Sequence, residues 1–337
     1  MGRARPFVPR SVAPELPIRL IALDIDGTLV DDDIVLQERT VATIRRAMHR
    51  GLRVSLVTGR MTLSAVSFAT TLGLTDPVIG MQGGLIREMP QRVGRVGKLL
   101  RHRPLDPAVA REAVAWSRRR GLDPHVNHLE RLVIRADDPE VEDYSAFLGT
   151  RAIRVPDLIA WIQRPVTKLV AVGPPGLPSG ALDDARALFA GRADVTVAHP
   201  RFLEFVAPGV SKGAAVRWLA RRSGVSLGSI LAIGDQLNDL EMIAAVGHGA
   251  AMPSSPDAVI EAARYVAPPL EEEGAAQLIE DLALAGPRAA AKAAAALEDR
   301  AAAVRDEMER ARQATSAPEA MEPGAAERRA ATPGAVR

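Results

Sequence analysis

Apolar residues in this chain gather into short runs with few polar interruptions, and each run stops at a polar residue or a glycine. Ile18 to Ile25 is the first, and within it Leu20-Ile21-Ala22-Leu23 has no polar face. A run of strand length that is apolar on both faces fits a central parallel strand covered by helices. Arg53 to Val57, Pro77 to Gly80 and Ser229 to Ile233 repeat the pattern. Between the first two runs, Gln37 to Arg50 sets Val41, Ile44, Ala47 and Met48 at helical spacing, and Gly51 stops it. Met61 to Leu72 reads as a second helix. Strand, helix, strand, helix, strand is the signature of right-handed parallel crossovers. The expected fold class is α/β, with a Rossmann-like doubly wound parallel sheet.

The rhythm changes after Gly84. Residues 85–100 read as two short strands, 106–120 as a helix, 131–135 as a strand, 138–148 as a helix and 152–155 as a strand. Residues 166–172 and 194–198 read as strands on either side of a helix over 181–190. Such mixed elements predict a separate α+β module. The parallel rhythm then resumes with strands at 202–206 and 229–233 and a helix at 214–222. The simplest organisation is one α/β domain, 18–84 and 200–284, interrupted by an inserted α+β cap over 85–199. Insertions enter exposed loops, and loops over a site are the natural place for a lid. Residues 1–17 read as a flexible leader. Residues 285–337 read as an Ala- and Arg-rich tail, helical or disordered. Within it, Leu297, Val304 and Met308 make only a thin apolar stripe, so a solvated or frayed helix is expected over 287–312.

Composition narrows the function classes. The 337 residues are 47% hydrophobic and 25% charged, ordinary for a globular chain with room for two domains. There is no cysteine, which excludes thiol catalysis and zinc–thiolate sites. The net charge is +2 with basic residues spread along the chain, so nucleic acid is not an expected partner. Nor is a membrane: no apolar stretch is long enough to span one, and the leader lacks a signal-peptide core. A soluble cytoplasmic protein is the expectation, while oligomeric state is not legible. Nearly all cations are Arg; the only lysines are Lys98, Lys168, Lys212 and Lys292, a pattern that reserves the compact ammonium for few positions.

Polar groups collect where the apolar runs end. Asp24 and Asp26 close the first run, Thr58-Gly59-Arg60 the second and Gln82 follows the third. Lys212 precedes a helix, and Asp235, Asn238 and Asp239 follow the run 229–233. Parallel strands share direction, so their carboxyl ends meet on one edge of the sheet, where open α/β sheets bind ligands. Several acids, one amine and a hydroxyl on one edge suit a hard cation together with a phosphate. Singly, each group also has a plain structural use. Strand-end acids and Thr58 can cap a helix or turn, Lys212 can be a solvated surface residue, and Asp239 can be a first-turn acid.

Together the residues resemble the haloacid dehalogenase-type phosphohydrolases, in the Cof-like subfamily IIB branch with a C2-type cap. Asp24-Ile25-Asp26-Gly27-Thr28 matches the first motif and Thr58-Gly59-Arg60 the second. Lys212 within Pro208-Gly209-Val210-Ser211-Lys212-Gly213 matches the third, and Gly234-Asp235-Gln236-Leu237-Asn238-Asp239 the fourth. The resemblance covers about residues 18–284. It implies a Mg²⁺-dependent phosphatase for a small phosphate monoester, such as a sugar phosphate or a nucleotide- or cofactor-like phosphate. Asp24 is the implied nucleophile, forming an aspartyl-phosphate, and Asp26 the acid/base. Asp24, the backbone carbonyl of Asp26, and Asp235 are the implied metal ligands. Thr58, Gly59, Lys212 and Asn238 would hold phosphate, with Asp239 behind them. Gln82, Lys168, Arg60 and His128 are possible substrate contacts. Two departures stand out: Gln82 where the family often has Asn, and Ala251-Met252-Pro253-Ser254-Ser255 where it usually has Ala-Met-Gly-Asn-Ala. A sugar-phosphate phosphomutase and a non-catalytic sugar-phosphate sensor are the alternatives.

Overall fold

The computed structural model describes residues 12–92, 95–137, 151–173 and 176–316. Its strands are, in chain order, β1 (Leu20–Leu23), β2 (Arg53–Leu56), β3 (Val78–Gly80), β4 (Leu85–Arg87), β5 (Leu99–His102), β6 (Asp123–His128), β7 (Arg131–Arg135), β8 (Ala152–Val155), β9 (Lys168–Val172), β10 (Asp194–His199), β11 (Phe202–Val206), β12 (Ile230–Gly234), β13 (His248–Ala251) and β14 (Tyr265–Val266).

β1 lies inside a five-stranded sheet of order β14-β13-β12-β1-β2 whose pairings are all parallel. Leu20 pairs with Ile230 on one side and with Arg53 on the other. Successive side chains of a strand point to opposite faces. Ile21 and Leu23 join a cluster with Ile44, Val54 and Leu278, while Leu20 and Ala22 join another with Val216 and Leu219. Both faces of β1 are therefore core, which is why its sequence has no polar face. Each such side chain contributes roughly 1.5–3 kcal/mol of burial.

β3 reaches this sheet through one parallel bridge, Val57 to Ile79, and continues into an antiparallel ribbon of order β3-β4-β5. A six-stranded sheet of order β10-β11-β9-β6-β7-β8 forms the second body. One of its faces is covered by the helices Pro107–Arg119 and Ala181–Leu188, with Trp116, Phe189 and Phe205 in edge-to-face contact. The other face sets Leu132, Ile134, Val170 and Val172 against Met61, Met81 and Leu85. Those residues flank the ends of β2 and β3, so the six-stranded sheet sits over that part of the parallel sheet. No described helix is long and apolar enough to cross a membrane.

The pairing differs from the expected segment limits in two places. β4 and β5, at the start of the segment expected over 85–199, pair with β3. β11, expected to belong with the parallel part, pairs with β9 and β10. An apolar run announces a strand but not its partner. The terminal segments differ as well. The helix Pro287–Ser316 packs on the core along one face, where Ala290 and Ala301 are buried, and leaves its other face to solvent. Leu297, Val304 and Met308 rest on two core clusters, and Glu298 pairs with Arg264 at 3.0 Å. Within the leader, Glu15 N–H donates to Gly228 O at 2.9 Å, and its carboxylate accepts from Ser226 at 3.0 Å. Residues 1–11, the helix expected over 138–148 and residues 317–337 lie outside the described residues.

Candidate active site

β1 and β12 run side by side, and Asp24 N–H continues their ladder to Ile233 O at 3.0 Å. The chain then turns at Gly27, whose φ is +73°. A Cβ there would lie 2.2 Å from Asp235 Oδ2, so the turn needs both the left-handed conformation and the missing side chain. The turn brings Asp24 and Asp26 to the same edge as the residues after β12.

Lys212 opens the helix Lys212–Ser223, whose N-cap Ser211 accepts from Ala214 N–H at 3.0 Å. Its fully buried ammonium lies 2.8 Å from Asp24 Oδ1 and 2.7 Å from Asp239 Oδ1. The other Asp239 oxygen accepts from the N–H groups of Asp235 and Gln236 at 3.2 and 3.1 Å. Asp235 accepts from Thr28 Oγ1 at 3.3 Å and from Gln236 Nε2 at 3.1 Å. Carboxylate oxygens of Asp24, Asp235 and Asp239 lie within 4.8 Å of one another.

Three buried acids around one ammonium leave excess negative charge. Burial first, then Asp239, raises the Asp24 pKa well above the carboxylate range, against the pull of Lys212. Burial and Asp239 push Asp235 up to about 7. Burial works against the charge of Lys212, but Asp239 and Asp24 outweigh it and keep the ammonium protonated. Hard oxygen donors that resist ionising for want of a counter-charge fit a divalent cation such as Mg²⁺. Asp239 is taken up by Lys212 and two backbone N–H groups and does not line the cavity over this edge, whereas Asp24 and Asp235 do, which places those two carboxylates to serve it.

Asp26 is different. Its side chain is 39% exposed and is gripped by Arg60, which is 3% exposed. Arg60 Nε donates to Asp26 Oδ2 at 2.8 Å, and its guanidinium stacks 5.1 Å from the Phe68 ring centre. Thr58 is buried, and its hydroxyl accepts from Arg60 N–H at 3.1 Å, leaving the hydroxyl proton available. A cavity of about 430 Å³ opens over this edge, lined by Asp24, Asp26, Thr58, Lys168, Lys212 and Asp235 among others. Gly59, Arg60, Asn238 and the Gln236 side of the loop share its wall, and Ile34 and Phe202 form its apolar part.

The structure thus brings together Asp24, Asp26, Thr58, Gly59, Lys212, Asp235, Asn238 and Asp239. The expected substrate contacts divide. Lys168 lines the cavity with its ammonium tied to Glu204 at 2.6 Å. Arg60 holds Asp26. Gln82 is buried and bonds to Glu204 and Asn238. His128 is not among the cavity residues: its Nδ1 lies 2.8 Å from Pro165 O and its ring stands edge-on to Trp161. It ends β6 on the same strand face as Val126, which packs in the helix-covered cluster of the six-stranded sheet. Glu204 also lines the cavity, and its one signal in the sequence is to be a lone acid inside Phe202-Leu203-Glu204-Phe205-Val206.

Residues 21–279 match the family described as haloacid dehalogenase-like hydrolase. The HMP-PP phosphatase of Cronobacter sakazakii is 31% identical over 241 residues, covering 69% of this chain and 84% of the relative. The 5-amino-6-(5-phospho-D-ribitylamino)uracil phosphatase YitU of Bacillus subtilis is 29% identical over 273 residues, covering 78% and 96%. A crystal structure of a haloacid dehalogenase-like hydrolase from Bacteroides thetaiotaomicron superposes with a TM-score of 0.68 at 27% identity, covering 78% of this chain and 99% of that one.

Proposed function

The chain belongs to the haloacid dehalogenase-like hydrolase family, and on that premise we propose that it is a Mg²⁺-dependent phosphatase of a small phosphorylated metabolite. The observation that carries this reading is the meeting of Asp24 and Asp235, from two strand ends, and Lys212, from the start of a helix, in one cavity with Asp26. The phosphatase activities named for the relatives in Cronobacter sakazakii and Bacillus subtilis support it. So does a cavity of about 430 Å³, which suits a small metabolite rather than a polymer.

In the proposed reaction the Asp24 carboxylate attacks phosphorus, the bond from phosphorus to the leaving oxygen breaks, and an aspartyl-phosphate forms. Asp26 gives its proton to the leaving oxygen and then takes one from the water that attacks the phosphorus of the acyl phosphate, releasing inorganic phosphate and restoring Asp24. Lys212, held between Asp24 and Asp239, aims the nucleophile and offsets phosphate charge. Thr58 and the neighbouring backbone supply donors for phosphoryl oxygens. Asp24, Asp235 and the backbone carbonyl of Asp26 would hold Mg²⁺, which when bound neutralises carboxylate and phosphate charge. The six-stranded sheet acts as the cap that closes the cavity.

The test is phosphate release by purified protein with Mg²⁺ across a panel of phosphate monoesters, repeated with a sugar bisphosphate to detect mutase behaviour. Asp24→Asn should lower release by about 1,000-fold or more. Near-normal release by that variant, or no release of phosphate by the wild type from any monoester, refutes the reading.

A further inference from the structure

Glu204 lies on β11 between Leu203 and Phe205, both of which face the helix-covered side of the six-stranded sheet. Strand alternation turns Glu204 to the opposite side, toward the parallel sheet. There it is nearly fully buried, and both of its oxygens are engaged: Oε1 lies 2.6 Å from Lys168 Nζ, and Oε2 accepts from Gln82 Nε2 at 2.7 Å. Lys168 Nζ also donates to Gly59 O at 2.8 Å. Gln82 Oε1 accepts from Asn238 Nδ2 at 3.1 Å. One carboxylate of the six-stranded sheet is thus tied, through two side chains, to the loops that follow β2, β3 and β12.

Packing alone does not call for these charges. The same interface already has apolar contacts between Val170, Val172, Met61 and Met81, and buried ion pairs are commonly no more stabilising than apolar groups of similar size. An additional acid beside a phosphate cavity is also unfavourable unless a cation neutralises it, as Lys168 does.

What the ties do is hold backbone. Gln82 N–H donates to Thr58 O at 3.1 Å. Because a trans peptide points its N–H opposite to its carbonyl, the Gly59 N–H of that unit is turned away from Gln82 N. The next carbonyl, Gly59 O, is the one Lys168 holds. Consecutive carbonyls of the Thr58-Gly59-Arg60 segment are therefore held by the Gln82 backbone N–H and the Lys168 ammonium, and the side chains of both residues end on Glu204. The fit is close: a Cβ at Gly59 would lie 2.6 Å from Gln82 Nε2.

We propose that Glu204 is a positioning residue for the phosphoryl site, fixing Lys168 and Gln82 and through them the 58–60 backbone and the Asn238 amide. This rests on the phosphatase reading for its catalytic consequence, but not for its effect on anion binding. Glu204→Gln keeps the side-chain size and replaces one acceptor with a donor, so Lys168 and Gln82 cannot both keep their bonds. With Mg²⁺ present, kcat for p-nitrophenyl phosphate should fall about 10- to 100-fold, with KM changed less. Inorganic phosphate, titrated calorimetrically, should bind about 10-fold more weakly. Gln82→Ala combined with Glu204→Gln should cost little more than either change alone, because both act through one network. Should Glu204→Gln fold poorly, Lys168→Met with Glu204→Leu keeps the packing and removes the ties, and the same losses are expected. Wild-type kcat and phosphate affinity in a folded variant overturn the proposal. If the wild type binds phosphate without turnover and Glu204→Gln weakens that binding, the positioning role stands and the phosphatase reading falls. If the wild type does neither, both fall.

Discussion

Stabilisation of this chain by Mg²⁺ should grow with pH, and the buried acids set its size. Asp235 is 5% exposed, and burial together with Asp239 lifts its pKa from 3.8 to about 7. Asp24 is raised in the same sense by burial and Asp239, with Lys212 opposing. An acid whose pKa is raised by folding binds its proton more tightly in the folded state. Its contribution to stability is complete below the unfolded value of 3.8 and is lost as pH rises through about 7. The shift of about three units at 1.36 kcal/mol each sets a ceiling of about 4 kcal/mol lost at Asp235 in the ion-free protein. Mg²⁺ favours the ionised carboxylates and displaces the proton. Near about pH 5 it competes with protons; near about pH 8 it meets carboxylates that are already ionised and repelling one another. At roughly 2 °C per kcal/mol for a chain of this size, saturating Mg²⁺ should raise Tm by several degrees near about pH 8 and by much less near about pH 5. The assay is thermal unfolding followed by circular dichroism, in chelator and in MgCl₂, at both pH values. Asp235→Asn removes the titrating group, so its ion-free stability should vary less with pH and its gain from Mg²⁺ should vanish. Equal gains at both pH values, or no gain at either, would refute the reasoning.

Gly27→Ala combines an unfavourable φ of +73° with a Cβ 2.2 Å from Asp235 Oδ2, so it should cost about 1–3 kcal/mol and lower phosphate release at least about 100-fold. Stability and turnover are read on the same preparation. Arg60→Lys replaces the two-point grip on Asp26 with a single ammonium; kcat should drop about 10-fold while KM moves little. Unchanged kcat would mean that Arg60 does not position Asp26. Deleting residues 287–337 uncovers the seats of Leu297, Val304 and Met308, each worth about 1–2 kcal/mol, and should lower Tm by several degrees with added dye binding to apolar surface. An unaltered Tm would show that this helix adds nothing to the core.

The strands β1, β2 and β12 of the parallel sheet were legible because burial leaves its mark on consecutive residues. Leu20 to Leu23 had to be a covered central strand, and Ser229 to Ile233 another. Parallel strands end on one edge, so Asp24, Thr58 and Asp235 could be assigned to one site without knowing any distance. The Ala-rich helix was harder. A stripe of three apolar residues looks thin until the surface it lies on, with Ile260 and Val266, exists to receive it. Ala301 is buried there because a small side chain lets the helix come close, and alanine carries no sign of that in its own sequence context.

Most strands and helices, the residues inside them and the polar groups at strand ends could thus be read along the chain, though β6, β13 and β14 left no legible run. Periodicity and burial are properties of neighbouring residues, and neighbours are what a sequence records. Only the tertiary structure decided the pairings. β11 joined the six-stranded sheet, Arg60 took Asp26 across 34 residues, Glu204 took Gln82 across 122, and Thr28 met Asp235 across 207. A charge or a hydrogen-bond donor selects its partner by distance in space, which depends on how every intervening element has packed.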